Sequence, residues 1–218
     1  SLSSEPPNQT TNAPSWPAVG ELWVLDLHDS GEGGGCVGGT DYGGGMETPT
    51  VIPTEDKDWT FVITDGCAEC GFVPPDPREV ADRVRAMLPF WQERLTRSDA
   101  TIRPAPTTWS PTEYACHVRD VFNLFAERLR LIVALDNPQF ENWDQDATAV
   151  AKQYWRQDPA VVSTELELAG QKSANAFDSV RNSEWRRPGR RSNGSVFTAG
   201  TLAVYFLHDV EHHVHDVS

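Results

Sequence analysis

The 218-residue sequence is poor in positive charge, and this shortage excludes one class of protein. It contains 18 lysine and arginine residues against 32 aspartate and glutamate residues, which gives a formal net charge of −14. A surface that binds duplex nucleic acid needs clustered basic side chains for the phosphates, so we expect no nucleic-acid partner. The one basic cluster, at residues 186–191, is interpreted as a loop that serves either as a solvated turn or as a clamp for an anionic group.

Long apolar runs and an even cysteine spacing are also lacking. No apolar run approaches the roughly 20 residues that span a bilayer, and the polar N-terminus lacks the basic and then apolar order of a secretory signal. Four cysteines at uneven spacing in a chain of this length are not typical of a disulfide framework. We therefore expect a cytoplasmic protein with no membrane partner.

A change of composition near residue 57 divides the chain into an extension and a domain. Residues 1–57 are polar and then rich in glycine, and the alternation at 21–27 suggests a short strand. Met46 ends the glycine-rich stretch, and one hypothesis is that it is the natural first residue. Residues 58–218 are expected to form the folded domain, with a short strand at 58–64.

Four long amphipathic segments predict an all-α domain, a four-helix bundle. Capping signals begin two of the helices, Asp-Pro-Arg-Glu at 76–79 and Ser-Pro-Thr-Glu at 110–113. The long helices are expected at 77–97 with a kink or break near Pro89, at 111–135, at 159–180, and from 199 to the C-terminal region. A shorter helix is expected at 144–156, and a polar loop between 181 and 197.

The last helix holds four of the six histidines, in the sequence LHDVEHHVHD at residues 207–216. At about 100° per residue, His208 and His212 lie on one stripe of the helix, His215 lies near it and His213 points elsewhere. Imidazoles four residues apart are neighbours and can bind one metal ion. His117, in the apolar pattern of the second long helix, is the candidate third ligand. The alternatives are a satisfied core histidine and a polar, frayed helix end.

Cys67 and Cys70 form a Cys-x-x-Cys pair that is followed by glycine. The first interpretation is half of a zinc site, which Cys36 and His28 could complete. The second is a thioredoxin-like redox pair, and the third is a pair of free thiols at a tight turn. Cys116 is expected to be a packed thiol.

Tryptophan is unusually frequent, with eight residues in the chain. Trp109, Trp143, Trp155 and Trp185 flank helix starts and loops that would surround a metal cavity. Most are expected to pack in the core, and one or two to line a ligand pocket.

Two motifs resemble the DinB-like (DinB/YfiT) superfamily: Trp-Ser-x-x-Glu-x-x-x-His-x-x-Asp at 109–120 and His-Asp-x-x-His-His at 208–213. This superfamily includes bacillithiol S-transferases and mycothiol-dependent maleylpyruvate isomerases. The resemblance covers residues 59–217. It is nearest to an uncharacterised actinobacterial branch that has a Cys-x-x-Cys-Gly-Phe knuckle and a Trp-Asp-Gln-Asp motif.

The resemblance implies a divalent metal, zinc or nickel, held by three histidines, and by position these are His117, His208 and His212. The position of Asp120, one turn beyond His117, predicts that it orients a ligand or a bound water, which makes it the candidate catalytic residue.

Three imidazoles leave coordination positions for water or a thiolate, as in catalytic rather than closed sites. The resemblance therefore implies an enzyme that activates a thiol or water against a small-molecule substrate. Transfer of a low-molecular-weight thiol such as mycothiol, or isomerisation, is ranked above hydrolysis. The alternatives are a metal-dependent hydrolase and a non-catalytic stress protein that binds a metal or small ligand. An open cavity at the metal would favour an enzyme, and the assembly is left open between monomer and homodimer.

Overall fold

Six helices and one small sheet make up the described part of the chain, residues 49–50, 52–54 and 57–218 of the computed structural model. The helices are α1 (Val62–Asp65), α2 (Val80–Leu95), α3 (Pro111–Ala134), α4 (Gln145–Ala151), α5 (Pro159–Asp178) and α6 (Ala199–Asp216). The strands are β1 (Gln139–Phe140), β2 (Pro188–Arg191) and β3 (Val196–Thr198). The expectations for residues 1–48, including the strand at 21–27 and the roles of His28, Cys36 and Met46, lie outside the described residues.

Helices α2, α3, α5 and α6 form the four-helix bundle that the amphipathic pattern predicted. Helices α2 and α3 each pack along both α5 and α6, so α2 and α3 face each other across the bundle although they are consecutive long helices. Phe177 of α5 and Phe206 of α6 stack in the core with ring centroids 4.9 Å apart, and Phe122 of α3 packs on Phe206. No helix in the described ranges is long and apolar enough to cross a membrane.

Polar caps fix where the long helices begin. Ser110 and Glu113 form a reciprocal capping box at the start of α3, as the sequence predicted. Asp158 caps α5 ahead of Pro159, and Thr198 caps α6. Pro89 lies inside α2, which continues to Leu95. The caps at Ser110 and Thr198 set the first residues of α3 and α6, the two helices that carry the histidines.

Three local expectations were wrong. Residues 58–64, expected as a strand, form a 3₁₀ turn at Trp59–Phe61 and then α1, because the Asp58 side chain caps the amide of Thr60. The basic segment expected as a loop contains strand β2, which pairs antiparallel with β3 and parallel with β1. The helix expected at 144–156 ends at Ala151, because Gln153 adopts a left-handed φ of 48°.

Residues 66–72, here called the knuckle, form a tight turn that precedes the bundle. The amide of Cys67 donates to the carbonyl of Phe72 at 2.9 Å. Gly66 has a φ of 73°, and a Cβ there would lie 2.4 Å from the Phe72 carbonyl oxygen, so this position requires glycine. The preceding helix, α1, packs against α6. This places the Cys-x-x-Cys pair beside the C-terminal histidines.

Candidate metal centre

Helix α6 presents ligand-type side chains on two neighbouring stripes, and each stripe meets different partners. His208 and His212 face the knuckle, whereas Asp209 and His213 face His117 of α3. The structure therefore does not bring His117, His208 and His212 together in one ligand group, although each of the three belongs to a group.

The first group, here called the His-Asp-His cluster, comprises His117, Asp209 and His213. Their potential ligand atoms all lie within 4.8 Å of one another. Asp209 Oδ1 lies 3.2 Å from His117 Nε2 and 3.8 Å from His213 Nε2. The two imidazole rings are perpendicular, with centroids 4.7 Å apart. Two nitrogens and one carboxylate oxygen from two helices thus surround one small space.

Neighbouring side chains hold the two imidazoles of this cluster in place. His213 Nδ1 lies 2.8 Å from Asp216 Oδ2, so this carboxylate accepts a hydrogen bond from Nδ1. The other ring nitrogen, Nε2, is then directed at Asp209. The His117 ring is stacked on Trp143 at 5.3 Å and packs against Trp109 at 5.5 Å. Two of the four tryptophans expected around the metal thus contact a cluster histidine.

Electrostatics in the cluster favour ligand-competent protonation states. Burial lowers the pKa of His117 and outweighs the opposing hydrogen bond to Asp209, so the imidazole is neutral at neutral pH. Burial raises the pKa of Asp209. The hydrogen bond from His117 and the nearby histidines lower this pKa by a larger amount, so the net shift is downward. A neutral imidazole and an ionised carboxylate are the forms that bind a divalent cation.

The chemistry of the donor atoms supports the fit of a metal to this cluster. His117 is fully buried, and within the described ranges its Nδ1 has no hydrogen-bond partner. Its other nitrogen, Nε2, faces only the acidic oxygen of Asp209 at 3.2 Å. An ion bound at Nε2 leaves the Nδ1 proton without an acceptor, so the fit rests on the converging ligand atoms of His117, Asp209 and His213 and not on the unpartnered Nδ1. The donor set of two nitrogens and one oxygen suits zinc or nickel.

Solvent reaches the cluster at the edge of α6. The side chains of Asp209 and His213 are 24% and 19% exposed. Two open surface cavities lie elsewhere: one of about 580 Å³ contains Arg119 and Asp120, and one of about 640 Å³ lies between the knuckle, α2 and α6. Neither of these two is lined by the cluster, so a substrate would approach through the exposed edge of Asp209 and His213.

Asp120, the candidate catalytic residue, lies outside both ligand groups. Its carboxylate accepts hydrogen bonds from three donors: Tyr154 Oη, Lys152 Nζ at 2.9 Å and Arg119 Nε at 3.1 Å. Burial raises the pKa of Asp120. These hydrogen bonds and the charge of Arg119 lower this pKa by a larger amount, so the net shift is downward. Asp120 connects to the cluster through two aromatic rings, since Tyr154 packs on Trp109 and Trp109 on His117.

The second group, here called the Cys-His cluster, comprises Cys67, Cys70, His208 and His212. Both cysteines are free thiols, and Cys116 is a buried thiol whose pKa burial raises to about 12, as expected for a packed side chain. The sequence hypothesis completed a zinc site at Cys67 and Cys70 with other partners, and the structure instead places two imidazoles of α6 beside them.

Sequence reasoning missed Asp209 and His213 as ligand candidates. The available signal was their spacing, since Asp-x-x-x-His places both side chains on one helical stripe as His-x-x-x-His does. The glutamate of the 109–120 motif, Glu113, has a structural role: it caps α3 and pairs with Arg103 while 2% exposed.

Comparison with known proteins agrees with this arrangement of helices. The sequence matches the model of the DinB superfamily over residues 81–217. The chain belongs to the DinB superfamily. No curated protein sequence matches it significantly.

Among solved structures, this DinB-superfamily chain is similar to YfiT from Bacillus subtilis, described as a probable metal-dependent hydrolase with an unusual four-helix bundle topology. The similarity has a TM-score of 0.55 at 19% identity and covers 65% of this chain and 81% of YfiT. At this identity the likeness concerns the fold. The assignment to a particular branch with a cysteine knuckle stays a prediction.

Proposed function

We propose that this protein is a metal-dependent enzyme whose active centre is the His-Asp-His cluster. The observation that carries the proposal is the convergence of three ligand atoms from α3 and α6 within 4.8 Å. The proposed ligand set keeps His117 from the sequence prediction and adds Asp209 and His213. His208 and His212 are assigned to a separate site below.

Three protein ligands define an open site. When bound, a divalent cation supplies a Lewis acid with a free position, which lowers the pKa of a water or thiol placed there. Asp209 contributes the one negative charge of the ligand set, so part of the positive charge of the cation remains. Asp216 fixes the orientation of the His213 ring through Nδ1 at 2.8 Å. Trp109 and Trp143 hold the His117 ring and keep water from its buried side.

The reaction proposed first is hydrolysis of a small molecule with an electrophilic carbon. The description of YfiT as a probable metal-dependent hydrolase supports this choice, and the exposed edge of Asp209 and His213 suits a small substrate. Transfer of a low-molecular-weight thiol such as mycothiol is the reaction implied by the sequence resemblance. It stays a prediction, as do a catalytic role of Asp120 and a cytoplasmic location.

The test is turnover measured with and without metal. Protein stripped by a chelator should hydrolyse a panel of esters and amides only after zinc or nickel is restored, and a parallel panel with a thiol and an electrophile tests transfer. Asp209→Asn should lose both bound metal at this cluster and turnover. His215→Gln, an exposed histidine on the same helix, is the matched control and should behave as wild type.

Two results would contradict the proposal. Turnover that is equal in stripped and reloaded protein would exclude a metal-dependent reaction. Full turnover in Asp209→Asn would exclude this cluster as the active centre. Stoichiometric metal at the cluster without turnover on either panel would favour the non-catalytic binding protein.

A further inference from the structure

The Cys-His cluster has the composition of a closed metal site. The potential ligand atoms of Cys67, Cys70, His208 and His212 all lie within 4.8 Å of one another. Cys67 Sγ lies 3.8 Å from His212 Nδ1, and the rings of His208 and His212 have centroids 5.1 Å apart. Two thiols from a Cys-x-x-Cys pair and two imidazoles are a common ligand set of structural zinc.

The backbone of the knuckle presents both sulfur atoms to the same side. Gly66 and Gly71 adopt φ values of 73° and 74°, which turn the chain sharply at each end of the Cys-x-x-Cys pair. The Cys67 amide donates to the Phe72 carbonyl at 2.9 Å, which closes the turn that carries both cysteines.

His208 supplies an independent observation that points to a ligand. The residue is 4% exposed, and its Nε2 is buried with no hydrogen-bond partner anywhere in the described segments. Leaving such an atom without a hydrogen bond or a ligand is unfavourable. The rings of Trp59 and Phe72 pack on His208 at 5.2 and 5.3 Å, so they shield this nitrogen from water. A metal ion that His208 binds through this nitrogen would satisfy it.

We propose that Cys67, Cys70, His208 and His212 bind a zinc ion in a closed tetrahedral site that fastens the knuckle to α6. Four protein ligands leave no open position, so the role of this site is structural. Both thiols lose their protons to solvent when the ion binds, so two protons are released for each zinc taken up. His208 and His212 fill the positions for which the sequence suggested Cys36 and His28. The site is independent of the proposed active centre, which has no sulfur ligand.

Cobalt substitution separates the two sites by their ligand chemistry. Cobalt bound by two thiolates gives an intense sulfur-to-metal charge-transfer absorption in the near ultraviolet, whereas cobalt bound by two imidazoles and a carboxylate does not. The full chain, reduced and stripped of metal, is titrated with Co²⁺ alone. We expect the charge-transfer band to saturate at one ion per chain, to be lost in Cys70→Ser, and to be displaced by Zn²⁺.

Matched variants make each outcome decisive. Cys36→Ser and Asp209→Asn should retain the band at full intensity, the second showing that this site survives failure of the proposed active centre. Loss of the band in Cys36→Ser, or its absence in the wild-type chain, would overturn the proposal. A Cys67–Cys70 disulfide that persists in the zinc-loaded protein would also overturn it.

Zinc release from the wild-type chain provides a second check, with one variant as its control. A thiol-blocking mercurial added to the zinc-loaded protein should release one zinc per chain as Cys67 and Cys70 are modified, detected with a chromophoric chelator. The same reagent should release no zinc from Cys67→Ser, whose helix content is verified by circular dichroism. Release of no zinc from the wild-type chain would contradict the site.

Discussion

Asp216 contacts histidines of both proposed metal sites, so its substitution tests both sites in one variant. Its Oδ2 lies 2.8 Å from His213 Nδ1, a hydrogen bond, whereas its Oδ1 lies 3.7 Å from His212 Nε2, beyond a normal hydrogen bond. The carboxylate is 25% exposed in both pairs. The Asp216→Asn variant keeps the shape of the side chain but removes its charge.

The expected loss follows from the two distances. Removing a carboxylate that orients a ligating histidine typically lowers metal affinity about 10–100-fold, which corresponds to about 1.4–2.8 kcal/mol. We expect a loss in this range at the His-Asp-His cluster, where the hydrogen bond is formed. We expect less than about a tenfold loss at the Cys-His cluster, where the contact is longer and two thiolates dominate binding.

The assay is a competitive zinc titration against a chromophoric chelator at neutral pH, with the cobalt band reporting the sulfur site separately. Asp82→Asn, an 89% exposed aspartate of α2, is the control and should bind as wild type. Unchanged zinc affinity at both sites in Asp216→Asn would contradict this prediction. A larger loss of affinity at the Cys-His cluster than at the His-Asp-His cluster would also contradict it.

Two further predictions concern buried carboxylates of the bundle. The pKa of Asp120 is lowered in the fold, so its stabilising effect is present above its ordinary pKa of 3.8 and is lost as pH falls through the folded value. Urea unfolding of Asp120→Asn should show a deficit of about 2 kcal/mol at neutral pH that shrinks in acid, and a pH-independent deficit would count against this. Glu113→Gln should lose about 3 kcal/mol because the Arg103 side chain, 15% exposed, loses its carboxylate partner, while the zinc affinity of the protein stays unchanged. Reduced zinc affinity would instead place Glu113 in the metal machinery.

The bundle was predictable because the signals that define it are local. Apolar periodicity and the caps at Ser110 and Thr198 depend on residues within one or two turns of each other, and the structure confirms both helix starts. The small sheet was not predictable in the same way. Gln139 of β1 pairs with Arg190 of β2, about fifty positions away, and a local sequence pattern does not indicate such a pairing.

The composition of the candidate site was only partly predictable, and the reason is the rotation of one helix. Periodicity predicted that His208 and His212 share a stripe, which the structure confirms. It cannot indicate which stripe of α6 faces α3, because packing in the bundle sets that rotation. Asp209 and His213 form an adjacent stripe with equally suitable ligands, about 100° around the helix. The spacing alone therefore fitted either stripe as the partner of His117.

Anomalous X-ray diffraction at the zinc edge, on crystals of the zinc-loaded full chain, would locate each bound zinc and identify its ligands. We predict two separate anomalous peaks for each chain. One is a zinc ion bound by His117, Asp209 and His213, and the other is a zinc ion bound by Cys67, Cys70, His208 and His212. A single peak bound by His117, His208 and His212 together, or no peak at the His-Asp-His cluster, would contradict this prediction.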